Sequence, residues 1–400
     1  MLPHNCFATR MKFTVRSSNP VFVLLLIVHG IISTILLAQQ PPEPTWKYSP
    51  ELMRPFWLGT VLEGESVLFI KDPRTGEAKA SVLFPVQKML AVRNSAGDVT
   101  YEEGRDYVWK PDSCEIVLPA GSRIVSRLPA DLRRPAMSQK YQLTHRDGDG
   151  EIFFGGRLEY AEMQTCLTYQ HAPDLWKSAV PKFDPDNLPR TVGKLRSQQP
   201  LSMIVVGDSI SSGCNASGWA GSAPYQPAYP ELLRQHLESH FRSRVTLRNP
   251  SISGSDTNWA LTIVDEVVQA TPDLVIVAFG MNDSAGRSAL DYQANIELFM
   301  AKIRQRCPDA EFILVASMLG NRDWTRLNHE IFPQYRDALA SLCRPGVALA
   351  DLTSIWTGFL QLKRDWDQTG NGVNHPNDFG HRVYAQVLST LLIPDGKPGG

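Results

Sequence analysis

The chain reads as an α/β protein: a parallel sheet covered by helices on both faces, preceded by a stretch of β structure. Three observations predict this. From about residue 200 onward, short apolar strands alternate with helical segments. Before residue 171 the pattern is short strands, rich in β-branched and aromatic residues, separated by turn clusters. Between the two lies a polar stretch punctuated by Pro181, Pro185, Pro189 and Pro200. Alternating β and α segments favour a parallel sheet, because parallel strands need crossover connections that helices supply.

The first 38 residues stand apart. Arg10, Lys12 and Arg16 precede an apolar run over residues 21–37, and Ala38 follows it before Pro-rich residues 41–44. A basic segment, an apolar segment and a small exit residue read as a signal peptide over residues 1–38. The alternative is an uncleaved anchor, since the run is long for a signal and slightly short for a membrane span. Either reading places the rest of the chain outside the cytoplasm, secreted or periplasmic. With the leader cleaved, no stable membrane association is expected.

Residues 45–171 are expected to form a jelly-roll-like β-sandwich. Strand signals fall at 66–70, 80–84, 106–109, 114–118 and 152–154, with turns at Asp72–Gly76 and Asn94–Gly97. Short strands at regular spacing with turn residues between them suit a sandwich. Residues 172–199 read as a linker. Residues 200–394 carry the parallel sheet, with strands at 203–206, 245–248, 274–279, 312–316 and 347–350. Helices are expected at 229–241, 257–270, 291–306, 328–342 and 377–392. Trp259, Ile263, Val264 and Val267 share one face of the second of these.

Composition excludes several classes. A net charge of −1 over 400 residues, with no basic stripe, argues against nucleic acid. Of six cysteines, Cys6 lies in the leader, leaving Cys114, Cys166, Cys214, Cys307 and Cys343. That is no disulfide scaffold. Cys307 with Cys343, or Cys114 with Cys166, would each keep a bridge within one domain.

The chemistry lies in four short motifs. Gly207-Asp208-Ser209 ends the first parallel strand. Asn249 to Gly254 follows the second, and Gly280-Met281-Asn282-Asp283 follows the third. Asn374-His375-Pro376-Asn377 precedes the closing helix. Open α/β sheets gather ligands at the carboxyl ends of their strands. A serine hydroxyl is a weak nucleophile and needs a base, for which His375 is the best placed. An oxyanion needs preorganised donors. The Ser209 and Gly254 backbone N–H groups and the Asn282 amide fit that need. His375, Asp378 and His381 at their spacing are weak metal evidence, so no metal or cofactor is expected.

These motifs, in this order, resemble the SGNH hydrolase superfamily, also called GDSL esterases. The resemblance covers about residues 201–392. It implies a flavodoxin-like three-layer α/β/α fold, with Ser209 as nucleophile, His375 as base, and Ser209, Gly254 and Asn282 as the oxyanion hole. Asp208 and Asp283 match positions that are mainly structural. The family pattern has an aspartate three residues before its histidine; here that position is Gly372. Asp367 is the leading replacement as orienting acid. Asp365, or a backbone carbonyl in a Ser-His dyad, remain open, while Asp378 is better explained by the start of the closing helix. An α/β-hydrolase elbow needs Gly-x-Ser-x-Gly, and Ser211 occupies its last position.

The reading that follows is a secreted serine esterase removing acyl groups, acetyl foremost, from a polysaccharide. The partner is an acylated polysaccharide or small molecule. The alternatives are a lipase or broad carboxylesterase, and a non-catalytic glycan-binding protein on a relict hydrolase fold. Trp219, Trp259, Trp324, Trp356 and Trp366 are candidate platforms for sugar rings.

Overall fold

A computed structural model describes residues 46–394, so the leader at 1–38 lies outside the described residues. The parallel sheet has five strands: β1 (Leu201–Gly207), β2 (Val245–Arg248), β3 (Leu274–Ala278), β4 (Glu311–Ala316) and β5 (Val347–Asp351). Their spatial order is β2-β1-β3-β4-β5, all parallel. That is the flavodoxin-like order, whose switch point lies between β1 and β3.

The strand residues are apolar throughout because both faces are covered. Met203, Val205, Ile276 and Ile313 join one buried cluster, and Ile204, Val206, Val277 and Leu314 join another. Helices α1 (Tyr229–Phe241), α5 (Leu352–Leu362) and α6 (Asp378–Leu392) cover the first face. Helices α2 (Val264–Gln269), α3 (Ala289–Arg304) and α4 (Ile331–Ser341) cover the second. Two expectations need correcting. The helix expected over 257–270 breaks into Thr257–Ala260 and α2. Helix α5 is not among the expected helices, and its Trp356, a candidate sugar platform, is a buried core residue.

The β-rich stretch holds an antiparallel sheet of Val61–Val67, Thr165–Gln170 and Lys88–Asn94. A five-stranded sheet lies with it, built on Ala78–Val86 and Ser113–Leu118. Leu62, Phe69, Val82, Ile116 and Tyr169 of these sheets belong to the same buried cluster as α1, α5 and α6. All described residues fall in one compact unit. Where the sequence suggested two domains and a linker, the two stretches share a core. The stretch expected as linker contains a helix, Pro189–Arg196, that buries Val192 and Leu195.

Polar contacts reinforce this seam. Glu65 and Lys363, both fully buried, form an ion pair across it. The Glu65 carboxylate also accepts from Tyr169 Oη at 2.6 Å and from the Leu83 N–H at 2.9 Å. Lys363 donates to the Ser66 carbonyl at 3.0 Å. A buried pair of this kind holds only when its remaining valences are satisfied, and these contacts supply them. All five cysteines in the described residues are free thiols, so neither pairing weighed from the sequence is present.

Candidate active site

Ser209 lies two residues past the end of β1, at the sheet's switch point. Only glycine fits at 207: a Cβ there would lie 2.3 Å from Ser211 Oγ and 2.5 Å from the Ala278 carbonyl. The loops after the first three strands brace one another. Asn249 Nδ2 donates to the Ser211 carbonyl at 2.7 Å, and Ser255 Oγ to the Gly207 carbonyl at 2.9 Å. Asn282 Nδ2 donates to the Ser255 carbonyl at 2.8 Å, leaving its second hydrogen for another acceptor. Gly254 takes a left-handed φ of +83° in its turn, a conformation that favours glycine. Its turn is solvent-exposed, whereas Ser209 is buried.

Asp208 and Asp283 hold this platform. Asp208 Oδ1 accepts from the Ile210 N–H at 2.9 Å, and burial pushes its carboxyl up to about 7. Asp283 Oδ1 accepts from Thr257 Oγ1 and Arg287 Nε, both at 2.6 Å, tying the second loop to the third.

His375 arrives from a different quarter, the loop between Asp365–Gln368 and α6. Its Nε2 lies 2.8 Å from Ser209 Oγ. Asn371 Oδ1 winds this loop, accepting from the Val373 N–H at 2.8 Å and the Asn374 N–H at 2.9 Å. Burial, with a smaller contribution from the neighbouring His381, pushes the ring's pKa down to about 3. The imidazole is therefore neutral at ordinary pH, which a proton acceptor requires.

The orienting acid expected from sequence is not there. Asp367 is buried at the seam, where Oδ1 accepts from the Leu68 N–H at 2.8 Å and Oδ2 from the Arg364 N–H at 3.3 Å. Burial pushes its carboxyl up to about 6. It is a fastening for the β-rich stretch, because Leu68 across the seam claims one oxygen and the local Arg364 N–H the other. Asp365 pairs with Arg322 at 3.0 Å. Asp378 sits in the first turn of α6 and accepts from the Ser217 N–H at 2.8 Å. The partner of His375 Nδ1 is Asn215 Oδ1, at 2.6 Å.

Asn215 escaped the sequence reading. It lies six residues after the nucleophile in Gly213-Cys214-Asn215-Ala216, with a left-handed φ of +66°. An asparagine two residues after a glycine in a loop reads as a turn residue, since asparagine tolerates that conformation. Only the fold shows that its amide faces the histidine.

Residues 205–383 match the family model of the GDSL-like Lipase/Acylhydrolase family. An arylesterase of Vibrio mimicus is 36% identical over 88 residues, which are 22% of this chain and 40% of the relative. The chain thus spans less than half the length of that curated relative. A two-domain esterase active on acetylated mannans, solved with mannopentaose, is similar at 17% identity and a TM-score of 0.43, over 54% of this chain and 55% of that one. An acetyl xylan esterase, AlAXEase, is similar at 20% identity and a TM-score of 0.39, over 48% of this chain and all (100%) of that one.

Proposed function

We propose, from the premise that residues 205–383 are a domain of the GDSL-like lipase/acylhydrolase family, that this chain is an extracytoplasmic serine ester hydrolase removing acyl groups, acetyl foremost, from a polysaccharide. The 2.8 Å contact between Ser209 Oγ and His375 Nε2 carries the reading. A nucleophile and a neutral base from distant segments already meet, as covalent acyl transfer needs.

In the proposed cycle Ser209 Oγ attacks the ester carbonyl and its proton passes to His375 Nε2. The Ser209 and Gly254 N–H groups and the Asn282 amide receive the oxyanion. The imidazolium then protonates the leaving alkoxide. Water, deprotonated by the same nitrogen, releases the acid from Ser209.

Trp219 supports the glycan. Of the tryptophans weighed as platforms it is the one exposed, at 44%, and it lies in the segment that follows the nucleophile loop. A flat apolar face open to solvent suits a sugar ring. Trp356 is core, and Trp259, Trp324 and Trp366 are partly buried. The Vibrio arylesterase favours a second reading, a carboxylesterase acting on simple esters. A relict binding protein is disfavoured by the assembled Ser209–His375 pair.

The test is acetate release from a panel of acetylated glycans, beside p-nitrophenyl acetate and a long-chain ester, with Ser209→Ala in parallel. Release from a glycan that disappears in the variant supports the proposal. Cleavage confined to small or long-chain esters moves the reading to a carboxylesterase or a lipase. No Ser209-dependent release from any substrate overturns it.

A further inference from the structure

We propose that the base of this site is oriented by an amide, Asn215, locked in place by the β-rich stretch, and that this uncharged arrangement stands where the family places an acid. The proposal deepens the serine esterase reading and rests on it.

For His375 to accept the serine proton, Nε2 must be bare and Nδ1 must carry the hydrogen. A carboxylate enforces that tautomer automatically, because it only accepts. An amide does not: turned over, it would present its NH2 to Nδ1 and force the hydrogen onto Nε2. Here the amide cannot turn over. Asn215 Nδ2 faces two carbonyl oxygens, that of Arg157 at 2.8 Å and that of Gly370 at 3.2 Å. Carbonyls accept only, so the NH2 must point at them and Oδ1 must point at the ring.

The same geometry disfavours a carboxylate at 215, since its second oxygen would face both carbonyls. An acid at 372 is excluded separately. Gly372 has φ +86°, and a Cβ there would lie 2.4 Å from the Phe153 carbonyl and 2.8 Å from the Tyr160 ring. Gly370 is likewise needed: a Cβ would come within 2.7 Å of Asn215 Cβ.

Phe153, Arg157 and Tyr160 all belong to the β-rich stretch. Its Gly155 N–H donates to the Asn371 carbonyl at 3.0 Å, and the Arg157 guanidinium donates to the Ala220 carbonyl. Gln164 Nε2 donates to the Trp366 and Thr369 carbonyls, each at 2.8 Å. One segment therefore closes the family's acid position, braces the loop that carries His375 and fixes the amide that replaces the acid. Asn215 is a positioning residue, since it acts through His375. A neutral partner offers the imidazolium no countercharge, in keeping with the low ring pKa.

Two measurements test this. In the full chain labelled with ¹⁵N-histidine, His375 should appear as the Nδ1–H tautomer. The Nε2–H tautomer overturns the proposal, and this readout needs neither a variant nor activity. It decides the point even if the wild type hydrolyses no ester, which would sink the esterase reading alone. In kinetics, Asn215→Ala should lower kcat at least about a hundredfold with little change in KM. Asn215→Asp should also fall below the wild type, and its acid limb of kcat/KM should move to higher pH, because a carboxylate stabilises the imidazolium. Near wild-type kcat in Asn215→Ala, or an Asn215→Asp enzyme faster than the wild type, overturns the amide lock.

Discussion

The two halves of the candidate site are built in different ways. The nucleophile half sits on loops that leave β1, β2 and β3, and those loops brace one another through Asn249, Ser255, Asn282 and Asp283. Its position follows from sheet topology. The histidine half sits on a loop between two helices and takes its shape from outside. Gln164 holds the backbone at Thr369, and the Phe153 carbonyl leaves room only for glycine at 372. One half is local and the other depends on its neighbour. A short motif can therefore announce the first, while the second is visible only once the neighbour is folded against it.

The largest effect expected from disturbing that dependence is at the seam. Lys363→Met strands the Glu65 carboxylate in a buried site and should cost about 3–5 kcal/mol, as breaking buried pairs does. Adding Glu65→Gln should recover part of the loss, since the stranded charge is then gone. Calorimetry of the full chain should show a single cooperative transition, lowered in Lys363→Met. Separate transitions for the β-rich and parallel-sheet stretches would break the claim that one depends on the other.

The next effect lies in the self-contained half. Asn282→Ala should lower kcat about 10²–10³-fold, the usual consequence of losing one oxyanion donor, with little change in KM. Stability should fall less than in Lys363→Met, because only the contact to the Ser255 carbonyl goes. A variant with wild-type kcat would remove Asn282 from the oxyanion hole.

The acid limb of kcat/KM sharpens the histidine half. The base works only when neutral, and its pKa is pushed from the ordinary 6.5 down to about 3. Activity should therefore stay flat as pH falls through 6.5 and decline only well below it. A limb at the ordinary imidazole value would mean that the ring is not desolvated in this way.

Legibility in the sequence follows the same division. All five parallel strands were readable, because buried strands are short apolar runs bounded by turns. The motifs at the first strand's end and before the last helix also named Ser209 and His375, the pair that meets at 2.8 Å. Helix α5 was not readable, because it begins directly at the end of β5, where Asp351 closes the strand and caps the helix by accepting from the Ser354 N–H. Nor was the seam, because Glu65 and Lys363 are 298 residues apart and only tertiary packing pairs them. Asp367 misled for a related reason. A buried aspartate near the histidine in sequence looks like its partner until the Leu68 N–H is seen to occupy it.

Asp367→Asn carries the smallest expected effect and separates the two roles most cleanly. If Asp367 only fastens the seam, kcat should hold near wild type. Stability should fall by about 1–3 kcal/mol, because the new NH2 faces the Arg364 N–H that Oδ2 now accepts. The pH dependence has a definite sign. The carboxyl's pKa is raised from 3.8 to about 6 in the folded chain, so the stability it contributes is fully present below 3.8 and is lost as pH rises through about 6. The amide does not titrate. The wild type's advantage over Asp367→Asn in thermal unfolding should therefore be larger at pH 5 than at pH 7.5. A large loss of kcat in a stably folded Asp367→Asn would return the acid to the histidine and undo the division between the two halves.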